Sequence, residues 1–123
     1  PEALPHSAWH PPSAPDILGG TPKMAEHACA MALKNILGLV CDPVAGLVEV
    51  PCIKRNASGA ANALISGGMA LAGIESAIPA DEVIEAMRQI GLNMPQSLKE
   101  TAKGGLAATP TGQKIAQAEM IDN

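Results

Sequence analysis

Residues 56–73 read NASGAANALISGGMALAG. The run is rich in small side chains, and Gly59, Gly67 and Gly68 lie inside it. An interior glycine costs a helix roughly 1 kcal/mol against alanine, so its use here is close approach of another helix or of a bound group. The reading is a helix that begins near Asn56, ends at Gly73 and is buried on most sides. Composition points the same way. Hydrophobic residues make up 47% of the 123 positions, yet aromatics make up only 1%, with no Phe, no Tyr and the single Trp9. A core of Ala, Leu, Ile, Val and Met suits closely packed helices better than sheets, and a chain of this length makes one domain at most.

Working toward the N-terminus, Gly19-Gly20-Thr21-Pro22 opens a helix. Thr21 stands as N-cap and Pro22 as first helical residue, where a missing N–H costs nothing. That helix is expected to run to about Leu37, with Gly38 as a left-handed C-cap. Ala25, Ala28, Cys29, Ala32, Leu33 and Ile36 form its apolar stripe. His27 falls outside that stripe and reads as a surface or interface residue. Residues 1–17 hold five prolines by Pro15, together with His6, His10 and Trp9. They read as an extended or disordered leader, separate from a helical domain over 18–123.

On the other side, a third helix follows Pro79, with Val83, Ile84, Met87 and Ile90 on its apolar side and Gly91 as its stop. Pro95 opens a short helix to about Ala102. Thr109-Pro110 then repeats the Thr-Pro start signal for a last helix through Met120. The apolar run Leu47-Val48-Glu49-Val50 finds no strand partner. The expected fold class is all-α, a small helical bundle.

Between the first two helices lies CDPVAGLVEVPCIKRN, residues 41–56. Two thiols bracket a loop that Pro43, Gly46 and Pro51 stiffen. Thiolates are soft ligands for iron–sulfur clusters, zinc and copper. Lys54, Arg55 and Asn56 follow directly, and cationic and amide groups beside a metal suit a small anionic substrate. A Cys-x10-Cys spacing is a poor match to zinc sites, which favour short pairs. Asp42 reads as the start of an Asp-Pro turn. Net charge is −4 with a pI near 5.2, which argues against nucleic acid as a partner. No apolar run is long enough to span a bilayer. Three cysteines are not the framework of a secreted domain, so a cytoplasmic chain with reduced thiols is expected.

The stretch GGTPKMAEHACAMALKNILGLVCDPVAGLVEVPCIKRNASGAANAL resembles the iron–sulfur-dependent L-serine dehydratases, in particular the α chain of the two-subunit bacterial type. The resemblance continues through IPADEVIEAMRQIG and SLKETAKGGLAATPTG, and covers the chain from Leu18 to about Gln117. CDPVAGLVEVPC is its most specific block, and GGLAATPTG at 104–112 supports the two-subunit type independently. The resemblance implies a larger α-helical catalytic domain and a [4Fe–4S] cluster held by three cysteines, with one iron left open to act on the β-hydroxyl of L-serine. Cys41 and Cys52 map onto two of the cluster ligands. Arg55 and Asn56 become candidates to hold the substrate carboxylate; the plainer alternative makes Arg55 a helix-start ion-pair partner and Asn56 an N-cap.

The family's third ligand lies in a Gly-Cys-Gln segment upstream, and nothing in residues 1–17 matches it. Cys29 offers itself as a substitute, but it lies on the apolar stripe of the first helix, where a cysteine is more commonly a small hydrophobe than a ligand. The expectation is therefore the C-terminal part of an α chain, inactive alone, that works with the N-terminal part and a β subunit. Its small-residue face, Gly59, Ala60, Ala63, Gly67 and Ala70, is expected to be left open and to drive homo-oligomerisation. The competing reading is a non-catalytic helical module that oligomerises or binds metal.

Overall fold

The structure, a computed structural model, describes residues 18–47 and 49–121. The proline-rich leader with His6, Trp9 and His10 lies outside the described residues. Among the described residues four α-helices carry the fold: α1 Pro22–Lys34, α2 Cys52–Leu71, α3 Ala80–Asn93 and α4 Pro110–Ile121. Short 3₁₀ turns lie at Val44–Gly46, Gln96–Leu98 and Gly105–Ala108. No strand occurs among the described residues; one isolated parallel bridge pairs Cys41 with Lys99. The fold is all-α, as the absence of aromatic and β-branched runs implies. None of these helices is long and apolar enough to cross a membrane.

Two compact units divide the described residues. One takes the chain through Leu37 together with Asn56–Leu92, and the other takes Gly38–Arg55 with the chain from Asn93 onward. In the first unit α1 is the central element. Ala28 and Met31 pack with Ala70 of α2, against Met24 and Met69. Ala30 and Leu33 pack with Val83 of α3, against Cys29, Ile36, Ala80 and Met87. Burial thus extends beyond the single expected stripe to Ala30 and Met31. Thr21 caps α1 as expected, its Oγ1 accepting from the Met24 amide at 3.2 Å. The helix ends three residues early, at Lys34, and passes through a turn to Gly38, whose φ of 75° is the left-handed conformation expected of it. Asn35 leaves the helix where its side-chain amide donates to Asn62 Oδ1 at 2.8 Å.

Two expectations for α2 change. It begins at Cys52, not near Asn56, because the Pro51 carbonyl accepts from the amides of both Lys54 and Arg55 at 3.1 and 3.2 Å. Its small-residue face is also filled from within this chain. Gly59, Ala63, Ser66, Gly67 and Ala70 are buried, and of the five residues expected to lie open only Ala60 is exposed. The opposite side carries the large apolar groups instead, with Leu64 68% and Ile65 62% exposed.

His27 is largely buried: its Nδ1 accepts from the Ser76 amide at 3.1 Å, and its Nε2 lies 4.0 Å from Glu75 Oε1. It therefore pins the turn after α2 and is not a surface residue. In the second unit the helix expected from Pro95 to Ala102 shrinks to the single turn Gln96–Leu98, because Lys99 and Glu100 leave it to pair with Cys41. Helix α4 begins where Thr109-Pro110 places it, with Thr109 Oγ1 accepting from the Gly112 amide at 3.1 Å.

Candidate functional site

The 41–55 segment and the 93–112 segment belong to the same compact unit, and between them they hold the residues of interest. Cys41 is anchored through its backbone. Its amide donates to the Leu98 carbonyl at 2.9 Å, and its own carbonyl accepts from the Glu100 amide at 2.7 Å. The chain then folds over Pro43 into the Val44–Gly46 turn. The Val44 amide donates to the Val50 carbonyl at 2.9 Å, so the loop closes on itself before Pro51 starts α2. Cys52 is the first residue of α2 and stands at the positive end of its dipole. Arg55 and Asn56 follow at i+3 and i+4, the spacings that place helix residues as neighbours of Cys52. Asn56 is exposed and sits a full turn inside the helix, so it is not the N-cap.

Asp42 does more than start a turn. Its side chain is 2% exposed. Oδ1 accepts from Arg55 Nη1 at 2.5 Å, and Oδ2 accepts from the Leu106 amide at 2.6 Å. The same Nη1 donates to the Val40 carbonyl at 2.9 Å. Burial alone would push the Asp42 carboxyl up. The Leu106 amide and the Arg55 guanidinium together outweigh it and hold the group below the usual carboxylate range. Ion pairing, one of the roles weighed for Arg55, is therefore present, but it engages only Nη1 among the described residues. The Nε and Nη2 edge, on a side chain 26% exposed, is turned to no described partner.

Segment 104–106 reaches Asp42 because it begins with two glycines. Gly105 has φ +59°, and a Cβ built there would stand 2.7 Å from Asp42 Cβ and 2.8 Å from its Cγ. Ala45, Glu100 and Ala102 also take positive φ without being glycine. Such backbone costs roughly 1–2 kcal/mol per residue, so the surrounding contacts hold these loops. A cavity of about 390 Å³ is lined by Ala45, Ala102, Lys103, Ala107, Ala116 and Gln117 among others, but by neither thiol nor Arg55. It lies apart from the candidate chemistry.

All three cysteines are free thiols. Cys29 belongs to the α1–α3 cluster of the other unit, where burial first and then Asp81 raise its pKa. Cys41 is also raised, by burial first, then by the charges of Glu100 and Cys52, with Arg55 pulling it down. Cys41, Cys52, Arg55 and Glu100 thus act on one another electrostatically within one unit. Two half-buried free thiols so placed fit two ligand positions of a thiophilic metal centre. Among the described residues no group of three or more His, Cys, Asp or Glu is arranged to hold a metal ion.

The raised Cys41 pKa predicts slow alkylation. A thiol reacts as its thiolate, so the rate with iodoacetamide should be low at pH 7 and climb through a midpoint above the usual thiol value of about 8.5. Peptide mass mapping across pH measures this for each cysteine. A Cys41 midpoint at or below that value would contradict the environment described.

Residues 14–107 match the family model described as "Serine dehydratase alpha chain". A protein of Bacillus subtilis named "Probable L-serine dehydratase, alpha chain" is 65% identical over 100 residues, covering 81% of this chain and 33% of the relative. A protein of the same name from Latilactobacillus sakei is 62% identical over 106 residues, covering 86% and 51%. The "L-serine dehydratase, alpha chain" of Peptoniphilus asaccharolyticus is 56% identical over 100 residues, covering 81% and 34%. The matches thus span about a third to a half of the length of these curated relatives.

Proposed function

The chain belongs to the serine dehydratase alpha chain family, and from that premise we propose that it forms part of an L-serine ammonia-lyase, which converts L-serine to pyruvate and ammonia. The observation that carries the reading is the Asp42–Arg55 ion pair, which ties the residue beside Cys41 to the residue one helical turn after Cys52 within one compact unit. In this reading both thiolates are ligands of a [4Fe–4S] cluster, and the third ligand lies elsewhere than in the described residues. When bound, the cluster supplies a Lewis-acidic iron for the substrate hydroxyl.

The remaining roles fall to the chain itself. Asp42 and the Val40 carbonyl occupy Arg55 Nη1, so the other guanidinium edge is available for bidentate capture of the substrate carboxylate. Asn56, one turn above Cys52, offers an exposed amide for the same carboxylate or for a hydroxyl. The base that takes the α-proton is not assigned to any residue of this chain.

Activity is expected only with the rest of an alpha chain and with a beta subunit, in the cytoplasm. The exposed Leu64 and Ile65 on α2 support such partners or self-association, since apolar side chains this open gain by being covered. They equally favour the second reading, a non-catalytic helical module that oligomerises or binds metal.

Anaerobic reconstitution with iron and sulfide, read by visible absorption, tests the proposal on this chain and on a chain extended to the relatives' full length. Loss of the cluster band in both Cys41→Ser and Cys52→Ser, with retention in Cys29→Ser, is the expected result. A band that survives either of the first two substitutions would remove that residue from the ligand set. A colourless wild type in both lengths would favour the non-catalytic module.

A further inference from the structure

Ten residues separate Cys41 from Cys52. The loop closes through the Val44 amide on the Val50 carbonyl, and the residues on either side of that single bond leave the spacing of the two thiols open. A second linkage runs through side chains. Asp42 adjoins Cys41, its carboxylate pairs with Arg55, and Arg55 lies one helical turn after Cys52. The second carboxylate oxygen is held by the Leu106 amide, 64 positions away in sequence. Asp42 and Ser66 are the largest side chains that are fully buried, and Asp42 is the acidic one. A charge placed so deep is expensive unless fully partnered, and nothing in the lyase reading uses it.

We propose that Asp42 is a positioning residue: its buried carboxylate buckles the Cys41 segment to the start of α2 through Arg55 and to the Gly104–Leu106 turn, and so sets the distance between the Cys41 and Cys52 thiols. The proposal rests on the reading of those thiols as ligands only for its purpose, not for its geometry. Arg55 gains a second duty from it, because the guanidinium edge left for a carboxylate keeps its direction only while Asp42 holds Nη1. Gly105 belongs to the same device, since any side chain there would collide with Asp42.

A metal-free measurement tests it. In a Cys29→Ala background of the full 123-residue chain, dibromobimane turns fluorescent only when one molecule bridges two thiols. Rapid bridging of Cys41 and Cys52 is expected. Asp42→Asn keeps the shape but gives one oxygen for two donors, and should slow bridging by about tenfold relative to single-thiol alkylation, as lost preorganisation lowers effective concentration. Arg55→Lys keeps the charge but is one bond shorter, so its ammonium stops short of the point where Nη1 meets both Asp42 and the Val40 carbonyl, and it should show the same defect. Circular dichroism at 222 nm must show wild-type helix content in at least one of the two variants, with Arg55→Lys the more tolerant because its site is partly open.

Cobalt(II) titration, followed by its thiolate charge-transfer band, then separates the two readings. Slower bridging with weaker cobalt binding supports both. Slower bridging where the parent binds no cobalt, even when extended to the relatives' full length, supports Asp42 as the buckle and removes the ligand reading. Bridging at the parent rate in a folded Asp42→Asn or Arg55→Lys variant overturns the proposal.

Discussion

Gly105→Ala should destabilise the unit that holds Cys41 and Cys52 by roughly 3 kcal/mol, combining left-handed backbone strain of about 1–2 kcal/mol with the loss of a charge-assisted hydrogen bond. Both terms come from one position. At φ +59° an L side chain is strained whatever the space, and here there is no space, with Asp42 Cβ 2.7 Å from the added carbon. The turn can relieve the overlap only by withdrawing, which takes the Leu106 amide from Asp42 Oδ2. Urea unfolding followed at 222 nm measures the loss. Hydrogen exchange adds where it falls: faster exchange should appear at Cys41, Glu100 and Leu106 before α1. Gly68→Ala is the matched control, a helical glycine with nothing within 4 Å of the added carbon, and it should raise stability by up to about 1 kcal/mol. Equal effects of the two substitutions would mean that the 104–106 turn does not sit against Asp42.

Leu33→Ala should be as costly in the other unit, about 2–4 kcal/mol from lost transfer energy and the cavity left behind. Leu33 is 2% exposed and packs with Ala30 and Val83, and its neighbours include Ile36, Ala80 and Met87. Most of the buried set is alanine, so few large side chains carry the packing. Against a typical total of about 5–15 kcal/mol for a domain, this is a large fraction. Thermal and urea midpoints should both fall, with the slope of the urea transition unchanged. Leu64→Ala, at 68% exposure, should change stability little in the isolated chain. A larger loss for Leu64→Ala than for Leu33→Ala would mean that α2 is turned the other way round.

Local chemistry made parts of this molecule readable in advance. Thr21-Pro22 and Thr109-Pro110 start helices because hydroxyl caps and proline act on their own three or four residues. Gly38 takes its left-handed turn for an equally local reason. The Cys41–Cys52 pair was visible as a spacing, and the resemblance gave it a meaning. What escaped reading was long-range. Nothing near Cys41 announces that Leu98 and Glu100 will pair with its backbone. Asp42 followed by proline reads as a turn, while its real partners are Arg55 and an amide 64 residues away. Two glycines at 104–105 were the available signal, since adjacent glycines mark a close approach, but not of what to what. The face of α2 escapes reading because Gly59, Ala63, Gly67 and Ala70 look like an open docking surface, whereas all four are buried, Ala70 against Ala28 and Met31 of α1.

The core described above contains no aromatic ring, and the single tryptophan, Trp9, lies outside the described residues. Optically, this makes the helical part of the protein almost transparent in the near ultraviolet. Absorbance at 280 nm rests on the one tryptophan of the chain and is correspondingly weak. The same emptiness is an advantage for the thiols. Any band that grows above 300 nm when a metal is added arises against almost no background, so even partial loading of Cys41 and Cys52 can be read directly from the spectrum.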